Sequence, residues 1–319
     1  MTDFGMNERA WRLCDQSIER ADDLRLASHR LANGARVVDA GIGVPGGFGA
    51  GLMLARLCMG GLGHAAFASL TIGGEQWPGV GVWTDHPAVA CMASQYAGWA
   101  IGPEGYFAMG SGPLRAKARV ERELYGKLEY AENAARGVLV LESRKLPTEA
   151  VAEWVGGKAG LAPDALTFAV APTASLAGGV QIAARVIETG LHKMDTIGFD
   201  VRRVVSATGT APVPPVAKSD IKAIGRTNDC VLYGGQARYT IDAGDEELAE
   251  LADRLPASHS ADYGAPFADI FERYGHDFYK IDPMLFSPGE VWLTSVPSGR
   301  TFQAGRLNPD VLRASLYGS

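Results

Sequence analysis

A chain of 319 residues with 47% apolar and 21% charged side chains can bury a large core, and its length suits one large domain or two average ones. A formal charge of −6 disfavours a nucleic-acid or anionic-membrane binder, because both need basic surface. The start, Met1 to Glu8, lacks the basic and apolar regions of a signal peptide, and no apolar run reaches the ~18 residues of a membrane span. Cys14, Cys58, Cys91 and Cys230 are scattered without zinc spacing, so the expectation is a cytoplasmic protein with reduced thiols.

The first predicted element is a helix with Trp11, Cys14, Ile18 and Ala21 on one face. Asn33-Gly34 then predicts a type I′ hairpin between two short strands, the second of which (35–40) enters the glycine-rich run Gly41 to Gly51. A helix over 52–59, a strand over 65–72, a helix from about Pro87 to Ala97 and a strand near Trp99 follow. The pattern then returns: a strand at Val138 to Leu141, a helix over 149–155, a strand over 167–171, and a helix from Val180 to Thr189 closed by Gly190-Leu191. Strand 203–206, a loop with Pro212, Pro214 and Pro215, a helix near Ile221 and a strand over 230–233 complete the series.

Corresponding points keep a constant offset. Val38 to Ala169 is 131 residues; Arg56 to Arg185 and Gly61 to Gly190 are each 129. Such regularity is what an internal duplication leaves. The expected class is therefore α/β (α+β), with two similar domains, 1–140 and 141–319, and a ligand pocket between them. Residues 246–319 are expected to pack back on the second domain as helices and short strands.

Several motifs bear on chemistry. Gly41-Ile42-Gly43-Val44-Pro45-Gly46 satisfies GxGxxG after a strand, but no acid follows until Glu75, so the ribose-binding carboxylate of a dinucleotide site is missing. There is no Walker motif, and Gly110-Ser111-Gly112 is not a nucleophile elbow. The histidines show no metal-binding pairing. Gln181, Arg185, Glu188 and His192 fall on one helical stripe. A solvated face with an Arg–Glu pair would look the same, yet Ala183, Ala184, Val186 and Ile187 suit a buried helix. There a carboxylate beside a guanidinium stays ionised and can direct or deprotonate a water. The basic run Arg115, Lys117, Arg119, Arg122 reads as a solvated face or a receiver for an anionic group.

Taken together, the longer strings resemble one family, the methenyltetrahydromethanopterin cyclohydrolases. They are Gly43 to Gly46, His86-Pro87-Ala88, Ala97-Gly98-Trp99, Tyr106 to Pro113, Ala171 to Leu176, Arg185-Val186-Ile187-Glu188-Thr189-Gly190, Thr227-Asn228-Asp229 and Phe278 to Asp282. The resemblance implies reversible hydrolysis of the methenyl bridge of a pterin one-carbon carrier to the 5-formyl derivative. It implies a homotrimer, no metal and no redox cofactor, the pterin itself being substrate. The setting would be the one-carbon metabolism of a formaldehyde-oxidising methylotroph or a methanogen-like pathway. It assigns the chemistry to Arg185 and Glu188, and substrate binding to Gly46, Gly47, His86, Gln95, Tyr106, Gly110, Ser111, Thr173, Ser175 and Gln181. The first copy has Arg56 but Met59 in place of the acid. Two other readings stand beside it: a phosphate- or nucleotide-binding α/β enzyme, and a non-catalytic pterin-binding protein of the same fold.

Overall fold

The computed structural model describes residues 3–318. In chain order its helices are α1 (Met6–Glu19), α2 (Ala21–Leu24), α3 (Phe48–Cys58), α4 (Leu114–Ala118), α5 (Arg122–Leu128), α6 (Glu149–Ala159), α7 (Leu176–Ala183), α8 (Val186–Thr196), α9 (Asp220–Leu232), α10 (Asp245–Arg254), α11 (Phe267–Arg273) and α12 (Pro309–Tyr317). The strands are β1 (Ala27–Arg30), β2 (Arg36–Asp39), β3 (Gly63–Ile72), β4 (Glu75–Thr84), β5 (Trp99–Ile101), β6 (Ala108–Ser111), β7 (Gly137–Glu142), β8 (Leu166–Ala171), β9 (Val204–Pro212), β10 (Gln236–Ile241), β11 (Glu290–Ser295) and β12 (Thr301–Gly305). They form two compact units, 1–64 with 89–181, and 65–88 with 182–319. Each contains one six-stranded mixed sheet.

The first unit orders its sheet β1-β2-β8-β7-β6-β5, with β2, β8 and β7 parallel. Successive residues of a strand point to opposite faces, so the apolar runs of β2, β7 and β8 feed two cores at once. On one face Val37, Leu139, Leu141, Phe168 and Val170 meet Val151, Ala152 and Val155 of α6. On the other, Val38, Val140 and Ala169 meet Ala10 and Cys14 of α1, Leu54, Leu57 and Cys58 of α3, and Ala177 of α7. Helices α3 and α7 touch so closely that a Cβ on Gly51 would lie 2.5 Å from the Val180 side chain.

The second unit orders its sheet β12-β11-β10-β9-β4-β3, with β10 and β11 parallel. Burial alternates along β10 and β11, as in a sheet with one packed and one open face. Helix α8 sits close on the packed face, where a Cβ on Gly209 would be 2.8 Å from Val186. Its Lys193 is fully buried, donating to the carbonyls of Pro256 and Met284. Burial lowers this ammonium to about 7.

Several expectations change. A boundary at 140/141 would cut β7, a central strand of the first unit; the units interleave instead. The landmarks Val38 and Ala169 are register partners on adjacent parallel strands of one sheet, so the 130-residue offset relates two neighbouring strand–helix segments. The hairpin at Asn33-Gly34 is present, but Leu31 donates to Ala35, closing a three-residue loop with Gly34 at φ 91° rather than a two-residue turn. The expected helix 87–97 is a π-helix over Ala88–Gln95. Residues 230–233 end helix α9 rather than forming a strand, because a four-residue apolar run has no period of its own. The helix expected over 180–189 is two helices broken at Ala184-Arg185, and Gly190 lies inside the second.

Candidate active site

The carboxyl ends of parallel strands are where open α/β sheets bind ligands, and in the first unit two loops stand there, the first of them rich in glycine. One follows β2. Asp39, at the end of that strand, accepts from the backbone N–H groups of Gly41 and Ile42 at 2.9 and 2.7 Å and of Gly43 at 2.7 Å. In a dinucleotide site such amides face the pyrophosphate; here a carboxylate of the chain already occupies them, which weighs against the nucleotide reading. Gly46 has φ 58°, and a Cβ there would lie 2.0 Å from the Ala40 carbonyl, so its own loop demands glycine. Gly47, by contrast, faces open space.

The second loop, 172–175, follows β8. A Cβ on Gly41 would come within 3.3 Å of Ser175 Oγ, so the two loops lie side by side. Ser175 donates to the Pro172 carbonyl and accepts from the Gly178 N–H at 3.0 Å, anchoring the start of α7; Thr173 sits half-buried between.

Behind these loops runs a chain of polar contacts. Gln181 of α7 donates to Glu142 Oε1 at 3.0 Å, and its own Oε1 accepts from the Cys58 thiol at 3.7 Å. Cys58 also lies 3.2 Å from Ser111 Oγ. Ser94, next to buried Gln95 on the π-helix, donates to the Cys58 carbonyl. Ser111 and Gln181 are thus brought together. Gly110 and Tyr106 are not part of this chain: a Cβ on Gly110 would strike Ile101 at 2.9 Å, and Tyr106 is a core residue whose hydroxyl donates to the Lys145 carbonyl. His86 follows β4 in the second unit and is exposed. Arg115, expected on a solvated face, is fully buried, pairs with Glu121 at 2.9 Å and donates to the carbonyls of Met92 and Ser94.

Arg185 and Glu188 lie at the start of α8, 6% and 5% exposed, with Nη1 and Oε2 3.9 Å apart. The break before α8 puts Arg185 at the helix cap and Glu188 in the first turn, where a carboxylate is favoured by the helix dipole. The solvated-face reading of this stripe is therefore excluded. Glu142 escaped sequence reasoning, although a carboxylate closing the apolar run Val138 to Leu141 is a visible signal.

Among the described residues there is no cluster of His, Cys, Asp and Glu that could hold a metal ion, and no helix is long and apolar enough to cross a membrane. All four cysteines are buried outside disulfides.

A buried arginine–carboxylate pair at a helix start is a grouping that can direct a water. The family follows from comparison with known proteins: the chain belongs to the cyclohydrolase family, whose model, described as Cyclohydrolase (MCH), matches residues 5–316. It is 46% identical over 316 residues to a protein of Methylobacterium organophilum, covering 97% of each chain. It is 45% identical to one of Methylobacillus flagellatus, covering 97% of this chain and 94% of the other. A protein of Methanococcoides burtonii is 41% identical over 98% of both. All three are named methenyltetrahydromethanopterin cyclohydrolase.

Proposed function

We propose that this chain interconverts 5,10-methenyltetrahydromethanopterin and 5-formyltetrahydromethanopterin, with Arg185 and Glu188 at the reacting carbon. The bridging carbon of the methenyl cation lies between two nitrogens and is electrophilic. Glu188 takes a proton from water as the water oxygen bonds to that carbon. The proton then passes to N10, the carbon–N10 bond breaks, and the former water oxygen becomes the formyl oxygen as its remaining proton leaves to solvent. Water is consumed and one proton is released. Arg185 holds the carboxylate in place at the helix start. The carbon does not change oxidation level, so the reading needs only the pterin and water, without a metal or redox cofactor. A homotrimer in the cytoplasm accompanies the reading.

The observation that carries it is the burial of the Arg185–Glu188 pair on α8 in a chain matched by the family model from 5 to 316. The experiment mixes the purified chain with the methenyl cation and follows loss of its chromophore, with the folate analogue in parallel. Rapid loss with the methanopterin form supports the assignment. Binding without any change in the chromophore would favour a carrier and overturn it.

A further inference from the structure

We propose that Lys193 is a positioning residue of the reaction, its ammonium fixing α8, and with it Glu188, to the C-terminal part of the second unit. This rests on the pterin reading above, in which Glu188 takes the proton of water. Every group involved belongs to the second unit.

A fully buried lysine is costly, because its ammonium gives up hydration, and an apolar side chain of similar volume would fill the space without that cost. What the ammonium adds is direction. Its Nζ donates to the Pro256 carbonyl at 2.7 Å, just beyond α10, and to the Met284 carbonyl in a 3₁₀ turn over Pro283–Leu285. Those two places are braced against each other. Asp282 accepts from the Met284 N–H at 3.0 Å and from Ser260 Oγ at 2.6 Å. Asp262 accepts from the Asp282 N–H and from the Tyr274 hydroxyl. Lys193 lies ~7.5 Å along α8 from Glu188 and about 140° round it, so it grips the helix from behind. Near Glu188 the helix has a second hold, Tyr239 donating to the Ile187 carbonyl. Two such bonds fix both the slide and the rotation of α8. A general base needs that, since a misplacement of about 1 Å can cost about a hundredfold in rate.

The hold depends on a proton. Burial brings Lys193 down to about 7, with Asp282 raising it and Arg254 of α10 lowering it. His259, in the turn after Pro256, is exposed. The charged form exists below that pH. Above it a neutral amine offers the two carbonyls weaker bonds, so kcat should fall as pH rises through about 7.

The test follows kcat and KM for the methenyl cation on both sides of that pH, with thermal melts to count folded protein. Lys193→Met should lower kcat at acidic pH by about ten- to a hundredfold, leave KM as it was, and abolish the further fall at higher pH. Arg254→Gln, at an exposed position, should move the midpoint of the parent's fall to higher pH. Asp282→Asn should move it lower. These two variants keep Lys193 in place and decide the matter even where Lys193→Met does not fold. A merely structural lysine would change melting without moving the midpoint. Parental kcat in folded Lys193→Met would overturn the proposal, as would the same pH fall in that variant or a midpoint indifferent to both charge changes. A parent that leaves the methenyl cation unconverted would instead overturn the pterin reading, and this role with it.

Discussion

Two strand–loop–helix segments that leave neighbouring strands of the first sheet end differently. In one, β2 leads through a glycine loop into α3, which carries Arg56 and stops at Cys58 before Met59, Gly60 and Gly61. In the other, β8 leads through the loop 172–175 into α7, then to Arg185 at the cap of α8 and Glu188 and Gly190 within it. Met59 is fully buried, and the Nε of Arg56 is buried without a hydrogen-bond partner among the described residues. At the matching positions Glu188 and Arg185 face each other across 3.9 Å. One segment holds an apolar side chain where the other holds the acid of a buried ionic pair. The comparison teaches that two segments can share a strand–loop–helix plan while only one carries a buried carboxylate and its guanidinium.

The harshest way to break the contrast is to give the first segment the missing acid. Met59→Glu places a carboxylate at a fully buried position and should destabilise the protein by about 3–5 kcal/mol, read by denaturant melts. Adding Arg56→Ala should deepen that loss; a milder double variant would show that Arg56 plays no compensating part.

The matched glycines differ in their reasons, which sharpens the contrast. A Cβ on Gly190 would lie 2.0 Å from the hydroxyl of Tyr239, which donates to the Ile187 carbonyl. Gly190→Ala should therefore cost about 2 kcal/mol. Tyr239→Phe in that background should return some of it. Gly61 instead has φ 68°, and a Cβ there would lie 3.0 Å from Arg9 Cβ and 3.3 Å from Leu13 Cδ1, so Gly61→Ala should cost the left-handed backbone, about 1 kcal/mol, together with a small shift of α1 side chains. Equal losses in thermal melts would contradict these separate causes.

A last contrast concerns pH. Each unit buries one carboxyl that burial pushes up to about 7, Glu132 in the first and Asp229 in the second. Asp229 accepts from the Phe267 N–H and from Ser315. A raised carboxyl favours the protonated folded state, so its contribution to stability is present below the unfolded value of about 4 and fades as pH rises through about 7. Asp229→Asn can keep both contacts without titrating. Its melting temperature should therefore lose less than that of the parent between pH 4 and 7, and parallel curves would refute the assignment.

Most of the architecture was legible because it rests on periodicity. The apolar runs of β7 and β8, the hairpin at Asn33-Gly34 and the constant offset all follow from local pattern. What escaped depends on tertiary context. Nothing local announces that Val38 and Ala169 pair within one sheet, or that the chain enters the second unit at β3 and returns. The break at Ala184-Arg185 lies in an apolar stretch with no helix-stopping residue. The basic run was misleading for a similar reason: Arg115 is buried because Glu121 and two carbonyls answer it, and those partners are invisible to charge counting. The Arg185–Glu188 pair was readable from its apolar neighbours, whereas Glu142 needed the Gln181 contact to be noticed.

The most direct test of the contrast compares Glu188→Gln with Arg56→Ala, measuring turnover of the methenyl cation and thermal melting in the same preparations. The account predicts a fall in kcat of about 10²–10⁴ for Glu188→Gln with melting preserved, and unchanged turnover for Arg56→Ala. Near-normal turnover of a folded Glu188→Gln protein would contradict it.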